Sequence, residues 1–198
     1  KEEFNKITPD NFYKTEKDAK LAIASLYNNM HVLFQHNRFA IGVIADMSTG
    51  DMLRGYDHAW WNKLLNQQWS ETNGEHTQTY FRHYKNIQTA RKVAKEIENM
   101  EIPASVSSSL AAEANAMAGW LAYILYDWYG PVPYPDDEMI NNPAELNYPS
   151  RPSSEEFVEI IEDLFAEKDL LMEPDFGSDF GRMNQGMANL ILMKLYML

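Results

Sequence analysis

The chain has 198 residues, 45% of them apolar, with five Trp, eleven Tyr and nine Phe; that is enough apolar surface for a packed core and excludes a disordered polymer. Seventeen Lys and Arg stand against 29 Asp and Glu, a net charge of −12, and phosphate recognition rests on positive charge, so nucleic acid and anionic headgroups are poor partners. The absence of cysteine excludes disulfides, thiolate nucleophiles and Cys-ligated metal centres, and no run of apolar residues is long enough to cross a bilayer as a helix.

Five segments carry helical periodicity. The first covers about residues 15–34. Thr15 and Asp18 have the spacing of an N-cap and its N3 partner, and Ala19, Ala22, Ile23, Leu26, Met30 and Leu33 line one face. The second covers about 77–99, with Tyr80, Tyr84, Ile87, Ala90, Ala94 and Ile97 on its stripe and Pro103 shortly after it. The third covers about 107–129, with a stripe of Leu110, Ala114, Met117, Leu121, Ile124, Leu125 and Trp128. Gly130 gives it a left-handed exit and Pro131 prevents continuation.

The fourth segment opens on a capping box, Ser153 and Glu156, and continues through Phe157, Ile160, Ile161, Leu164 and Leu171. The fifth starts near Asn184 and reads as a helix still in progress at Leu198, without a Gly or Asn stop. A helix this apolar needs cover on more than one side. The expectation is a chain truncated at its C-terminal end. The opening residues 1–13 are not a signal peptide.

The short gap between the second and third segments predicts an antiparallel pair, and the fourth and fifth are candidates for another. Stacked pairs give an all-α, solenoid-like scaffold. Phe157 and Ile191 lie 34 residues apart, the tetratricopeptide period, although the full repeat signature is absent. Two long segments, about 37–75 and 130–152, interrupt the helices without an alternating strand. The first is longer than most structureless connections and has room for a short helix around 60–69.

That first segment is the candidate site. It sets Tyr56, Trp60, Trp61 and Trp69 among Asp46, Asp51, Asn62 and other polar residues. A pyranose packs its flat apolar face on an aromatic ring, while amides and carboxylates take its hydroxyls. Covering one ring face removes roughly 50 Å² of apolar surface, or about 1 kcal/mol per ring, so several rings are needed. The competing reading is that these tryptophans anchor a long loop to the helices.

Catalysis and metal binding have little support. Glycoside hydrolysis needs a carboxylate pair at a set separation, and no pair stands out. Glu113 sits among apolar neighbours, where buried pairing competes with an acid–base role. His31 and His36, and His76 and His83, lack a metal-site spacing. Asp136, Asp137 and Glu138 read as a solvated acidic turn rather than a calcium loop. Met187, Met193 and Met197 on the last helix face either core or another subunit.

Taken in order, the segments resemble the N-terminal portion of the SusD/RagB family of surface lipoproteins. The resemblance is carried by Pro9, Thr15 to Ala19 and Leu26-Tyr27, then by Tyr84, Lys85, Asn86, Ile87, Ala90 and Ile97. It continues through Glu113-Ala114, Tyr123, Leu125 and Tyr129-Gly130-Pro131-Val132-Pro133. Arg151 to Glu156 with Ile161, Asp163 and Leu164, and Gly181-Arg182 with Ala188 and Leu195-Tyr196, complete it. Where the family usually has Arg-Ala, this chain has Ala118-Gly119.

The resemblance implies tetratricopeptide-like paired antiparallel helices with long irregular loops, as one N-terminal domain (1–198) of a larger SusD-like fold. It implies a binding protein rather than an enzyme, without cofactor, that captures oligosaccharides or related nutrients and passes them to a TonB-dependent outer-membrane transporter. It also implies a tether to the extracellular face of the outer membrane through a lipidated N-terminal cysteine that these residues lack. Asp46, Asp51, Tyr56, Trp60, Trp61, Asn62 and Trp69 are the ligand-binding candidates, chosen on local chemistry. The alternative function is a helical protein-interaction module without a ligand site of its own.

Overall fold

The computed structural model describes residues 12–34, 41–50, 59–71, 74–141 and 149–198. Its helices are α1 (Glu16–Phe34), α2 (Ile41–Thr49), α3 (Ala59–Leu65), α4 (Gly74–Glu98), α5 (Ala104–Tyr129), α6 (Asp137–Asn141), α7 (Ser154–Leu164) and α8 (Gln185–Leu195). A turn of 3-10 helix at Lys168–Leu170 precedes α8. No strand occurs among the described residues.

The N-termini form where side chains replace missing helical hydrogen bonds. The Asp18 carboxylate accepts the Thr15 N–H at 2.8 Å and the Thr15 hydroxyl accepts the Asp18 N–H at 3.3 Å. Ser153 and Glu156 close the expected box, with bonds of 2.7 and 3.2 Å. Asn184 accepts the Met187 N–H at 3.0 Å and starts α8. Pro103, which follows the second helix, is the N-cap of α5; its missing N–H costs nothing there, so α5 begins three residues earlier than its apolar stripe suggests.

α5 is the axis of the molecule. It forms a long antiparallel pair with α4, and α1, α7, the 3-10 turn and α8 also pack on it. Its sequence explains this role: Ala111, Ala112, Ala114, Ala116, Ala118, Gly119 and Ala122 are all buried. Small residues over more than half of the circumference let neighbouring backbones approach from several directions, whereas a single stripe serves only one. Leu110, Met117, Leu121 and Leu125 fill the remaining depth, each burial worth about 1.5–3 kcal/mol. α7 and α8 meet α5 more extensively than each other, although the Tyr196 hydroxyl donates to Glu162 at 2.6 Å.

Gly119 shows how close the approach is. A Cβ there would lie 2.5 Å from Phe165 Cε2 and 2.9 Å from Cζ, and the Phe165 ring is itself buried. Gly119 is therefore the seat of an aromatic ring.

Glu113, 3% exposed, is held in a buried pair. Its carboxylate accepts the Tyr27 hydroxyl at 2.5 Å and two Arg182 N–H groups at 2.5 and 3.1 Å. The Tyr27 oxygen in turn accepts the Met183 N–H at 2.6 Å, and Arg182 also holds Asp179 at 2.7 Å. This network ties α1, α5 and the approach to α8 around one buried charge. Arg182 is held above its usual pKa by hydrogen bonds to Glu113 and then Asp179, against the opposing effect of burial.

The 37–75 segment is less irregular than expected, since α2 and α3 occupy much of it. Val43, Ile44 and Met47 from α2 and Trp60 and Leu64 from α3 form a small second core, with Trp61, Leu65 and Trp128 packed at its edge. The acidic turn at Asp136, Asp137 and Glu138 is exposed, as expected, and starts a short helix. Asp136 caps α6 by accepting the Met139 N–H at 2.9 Å, and Asp137 pairs with Arg91 at 2.7 Å and Lys95 at 3.5 Å.

A candidate aromatic groove

A groove of about 540 Å³ opens where the first turns of α4, the last turn of α5 and the small α2–α3 core converge. Its walls are Trp69, Tyr80, Phe81, Trp128 and Tyr129, its floor includes Ile44 and Leu64, and Ser48, Ser70, Thr77 and Glu71 add polar groups. Tyr80 is the hub of the rings: it stacks on Tyr84 at 5.7 Å and meets Tyr129 edge-on at 5.4 Å and Phe81 at 6.0 Å. Trp69 is 44% exposed and Phe81 57%, so two rings stand clear of the packed layer.

The wall is held from behind. Gly130 adopts a φ of +70° and its N–H caps α5 on Tyr126 O at 2.9 Å, which turns the chain away directly after Tyr129. The following strap is fastened to α4: the Arg91 guanidinium lies 4.5 Å over the Tyr134 ring and donates to Pro135 O at 2.5 Å as well as to Asp137. Burial, then the neighbouring Tyr80, pushes the Tyr129 hydroxyl up to about 12. Burial also raises Tyr80, partly offset by Arg151. Both phenols stay protonated across the physiological range and present O–H donors rather than charge.

Ring surfaces beside hydroxyl donors are the groups that match the apolar face and hydroxyls of a pyranose. Among the described residues no three imidazole and carboxylate groups gather where they could hold a metal ion. No helix among them is long and apolar enough to cross a membrane.

A SusD-like family model, described as "Starch-binding associating with outer membrane", matches residues 3–191. The chain belongs to the SusD-like family. The crystal structure of a SusD superfamily protein from Bacteroides vulgatus ATCC 8482 superposes with a TM-score of 0.73 at 17% identity, over 94% of this chain and 40% of that one. A SusD homolog from Bacteroides thetaiotaomicron VPI-5482 gives 0.68 at 19% identity, over 95% of this chain and 37% of that one. The paired-helix scaffold is thus a SusD-like fold, and the chain spans about two fifths of the length of these solved relatives. No curated protein matches the sequence.

In this SusD-like chain the residues singled out from sequence separate into different places. Trp69 lies on the groove rim. Trp60, 7% exposed, points into the α2–α3 core, where its ring nitrogen has no hydrogen-bond partner. Trp61 and Asn62 are half-buried on α3, outside the groove lining, and Asp46 is exposed on α2. Asp51 and Tyr56 lie outside the described residues.

Four of the five groove rings come from elsewhere in the sequence. In the sequence Tyr80 and Trp128 sit on apolar helical stripes, and Tyr129 stands at a helix end within the stretch that carries the family resemblance. Phe81 held the available signal: it falls off the α4 stripe beside Tyr80, where an aromatic residue has no core to enter.

Proposed function

We propose that this chain supplies the aromatic wall of a non-catalytic glycan-binding site in a nutrient-binding protein of the outer membrane. The observation that carries this reading is the open groove in which five aromatic rings converge with hydroxyl donors and one carboxylate. At about 1 kcal/mol per covered ring, three or four contacts plus satisfied hydroxyls give the modest affinity a capture protein needs before release. Trp69 and Phe81 are the direct ring contacts in this proposal, Trp61 and Asn62 extend the site along α3, and Trp60 supports the platform from beneath. Asp46, Asp51 and Tyr56 remain its polar and aromatic candidates on the preceding segment.

The remaining parts of the proposal rest on family membership. The 198 residues act as the N-terminal helical domain of a longer protein, lipid-anchored at the extracellular face and passing its ligand to a TonB-dependent transporter. The family description supports both starch-type ligands and outer-membrane association. Isothermal titration of the full protein against a panel of oligosaccharides, with product analysis by chromatography, tests the reading. Binding without shortening of the glycan is expected, and Trp69→Ala together with Phe81→Ala should weaken it about ten-fold or more. Clean hydrolysis, or affinity indifferent to both substitutions, refutes it.

A second reading, a helical protein-interaction module, is favoured by a separate feature. Phe176 and Phe180, 87% and 71% exposed, lie 6.2 Å apart beside the apolar outer face of α8, where Met193 is 52% exposed. Under that reading Phe176→Ser abolishes partner binding and leaves glycan titration unchanged.

A further inference from the structure

We infer that the aromatic groove selects, among glycans, those that carry a protonated amino group. The inference rests on the glycan-binding reading of this groove and adds a charge preference to it. Glu71 is the one charged side chain in the lining among the described residues, and its carboxylate makes no hydrogen bond or ion pair with any of them. It lines the same groove as Trp69, Tyr80, Phe81, Trp128 and Tyr129, so a carboxylate and several aromatic rings border one space.

That combination is the recognition chemistry of an ammonium ion. The ring faces offer negative quadrupole potential, and indole offers the most. The carboxylate supplies full countercharge at the rim, where water still reaches it. A neutral hydroxyl gains only a hydrogen bond there, and a uronate is repelled. The remaining polar side-chain groups of the lining are hydroxyls and indole N–H groups, all uncharged.

The wider field has the same sign, since the chain carries a net charge of −12 and draws cations toward clefts of low dielectric. Arg151 is close enough to affect Tyr80 but does not line the groove. Its effect opposes that of Glu71 only from outside the lining.

The test is titration of the full protein at pH 6 and fixed ionic strength with four tetrasaccharides. These are a glucosamine tetramer with free amines, its N-acetylated counterpart, a neutral glucose tetramer and a galacturonate tetramer. The free-amine form should bind about ten-fold more tightly than the acetylated form, with galacturonate weakest. Glu71→Gln should bring the free-amine to acetylated ratio close to one. Glu101→Gln, an exposed carboxylate beyond the opposite end of the α4–α5 pair, should leave that ratio as it was.

Equal binding of the amine and acetylated forms overturns the inference. So does a ratio that falls as far in Glu101→Gln as in Glu71→Gln, which would mark a general charge effect. If neutral or acetylated tetramers bind without an amine preference, the glycan-binding reading stands and only the charge preference fails. If no tetrasaccharide binds, both fail.

Discussion

Replacing Gly119 by Ala isolates the tightest helix contact in the molecule. The added methyl would sit 2.5, 2.9 and 3.0 Å from three atoms of the Phe165 ring, against an ordinary carbon contact of about 3.5–4.0 Å. The ring is 2% exposed, so it must shift by about 1 Å into packed neighbours. Overpacking of that kind costs about 1–3 kcal/mol. Alanine returns up to about 1 kcal/mol through its better helix propensity, leaving a net loss of roughly 1–2 kcal/mol. For a domain of this size the melting temperature should fall by about 3–6 °C, measurable by circular dichroism. Gly42→Ala is the internal control, because nothing lies within 4 Å of its Cβ position in α2 and stability should rise slightly. Adding Phe165→Leu to Gly119→Ala should recover part of the loss, with a coupling of about 1 kcal/mol in the double-mutant cycle. An unchanged or higher melting temperature for Gly119→Ala alone would refute the account of why this helix carries glycine there.

Arg182→Ala leaves the buried Glu113 charge without its cation and should destabilise by about 2–4 kcal/mol in urea titrations, less than for a fully buried pair because Arg182 is one-third exposed. Arg182→Ala combined with Glu113→Gln should lose less than the two single changes summed. His83 is buried, its Nδ1 lies 2.8 Å from Thr79 O and its Nε2 has no partner. Burial lowers its pKa in the fold, so its neutral form contributes stability that is complete above the unfolded value of about 6.5 and declines as pH falls below it. Unfolding free energy measured between pH 7.5 and 5 should therefore fall more steeply in the native chain than in His83→Gln. Ser153→Ala removes the hydroxyl half of the α7 capping box and should cost about 1 kcal/mol in thermal melts, with no effect on glycan titration.

Helices long enough to repeat their apolar spacing several times were legible before any coordinates. α1, α4, α5 and the starts of α7 and α8 fall within a few residues of where Thr15, Gly130, Ser153 and Asn184 place them. Of the short helices, α3 falls in the expected stretch around 60–69, whereas α2 offers only about two and a half turns and begins with β-branched Ile41 and Val43 around Gly42, which locally favour other conformations. α6 has five residues and depends on the Asp136 cap and the distant Arg91. The candidate site was half legible for a related reason. A cluster of tryptophans in one segment is visible in sequence, but its division into Trp60 inside and Trp69 outside is a product of α2–α3 packing. Tyr80 and Trp128 came to the groove through the antiparallel return of α5 on α4, which joins the start of one helix to the end of the other.

The Tyr27 hydroxyl reaches across 156 positions to the Met183 N–H, a contact of high loop-closure cost. The α4–α5 hairpin joins neighbours in sequence and can collapse quickly, whereas that phenolic clasp must wait until nearly the whole described chain has been gathered. Docking of the residues from Met183 onward is therefore expected to follow formation of the hairpin. Amide exchange in α8 should accordingly outpace exchange in the hairpin, and Tyr27→Phe should speed the former while sparing the latter.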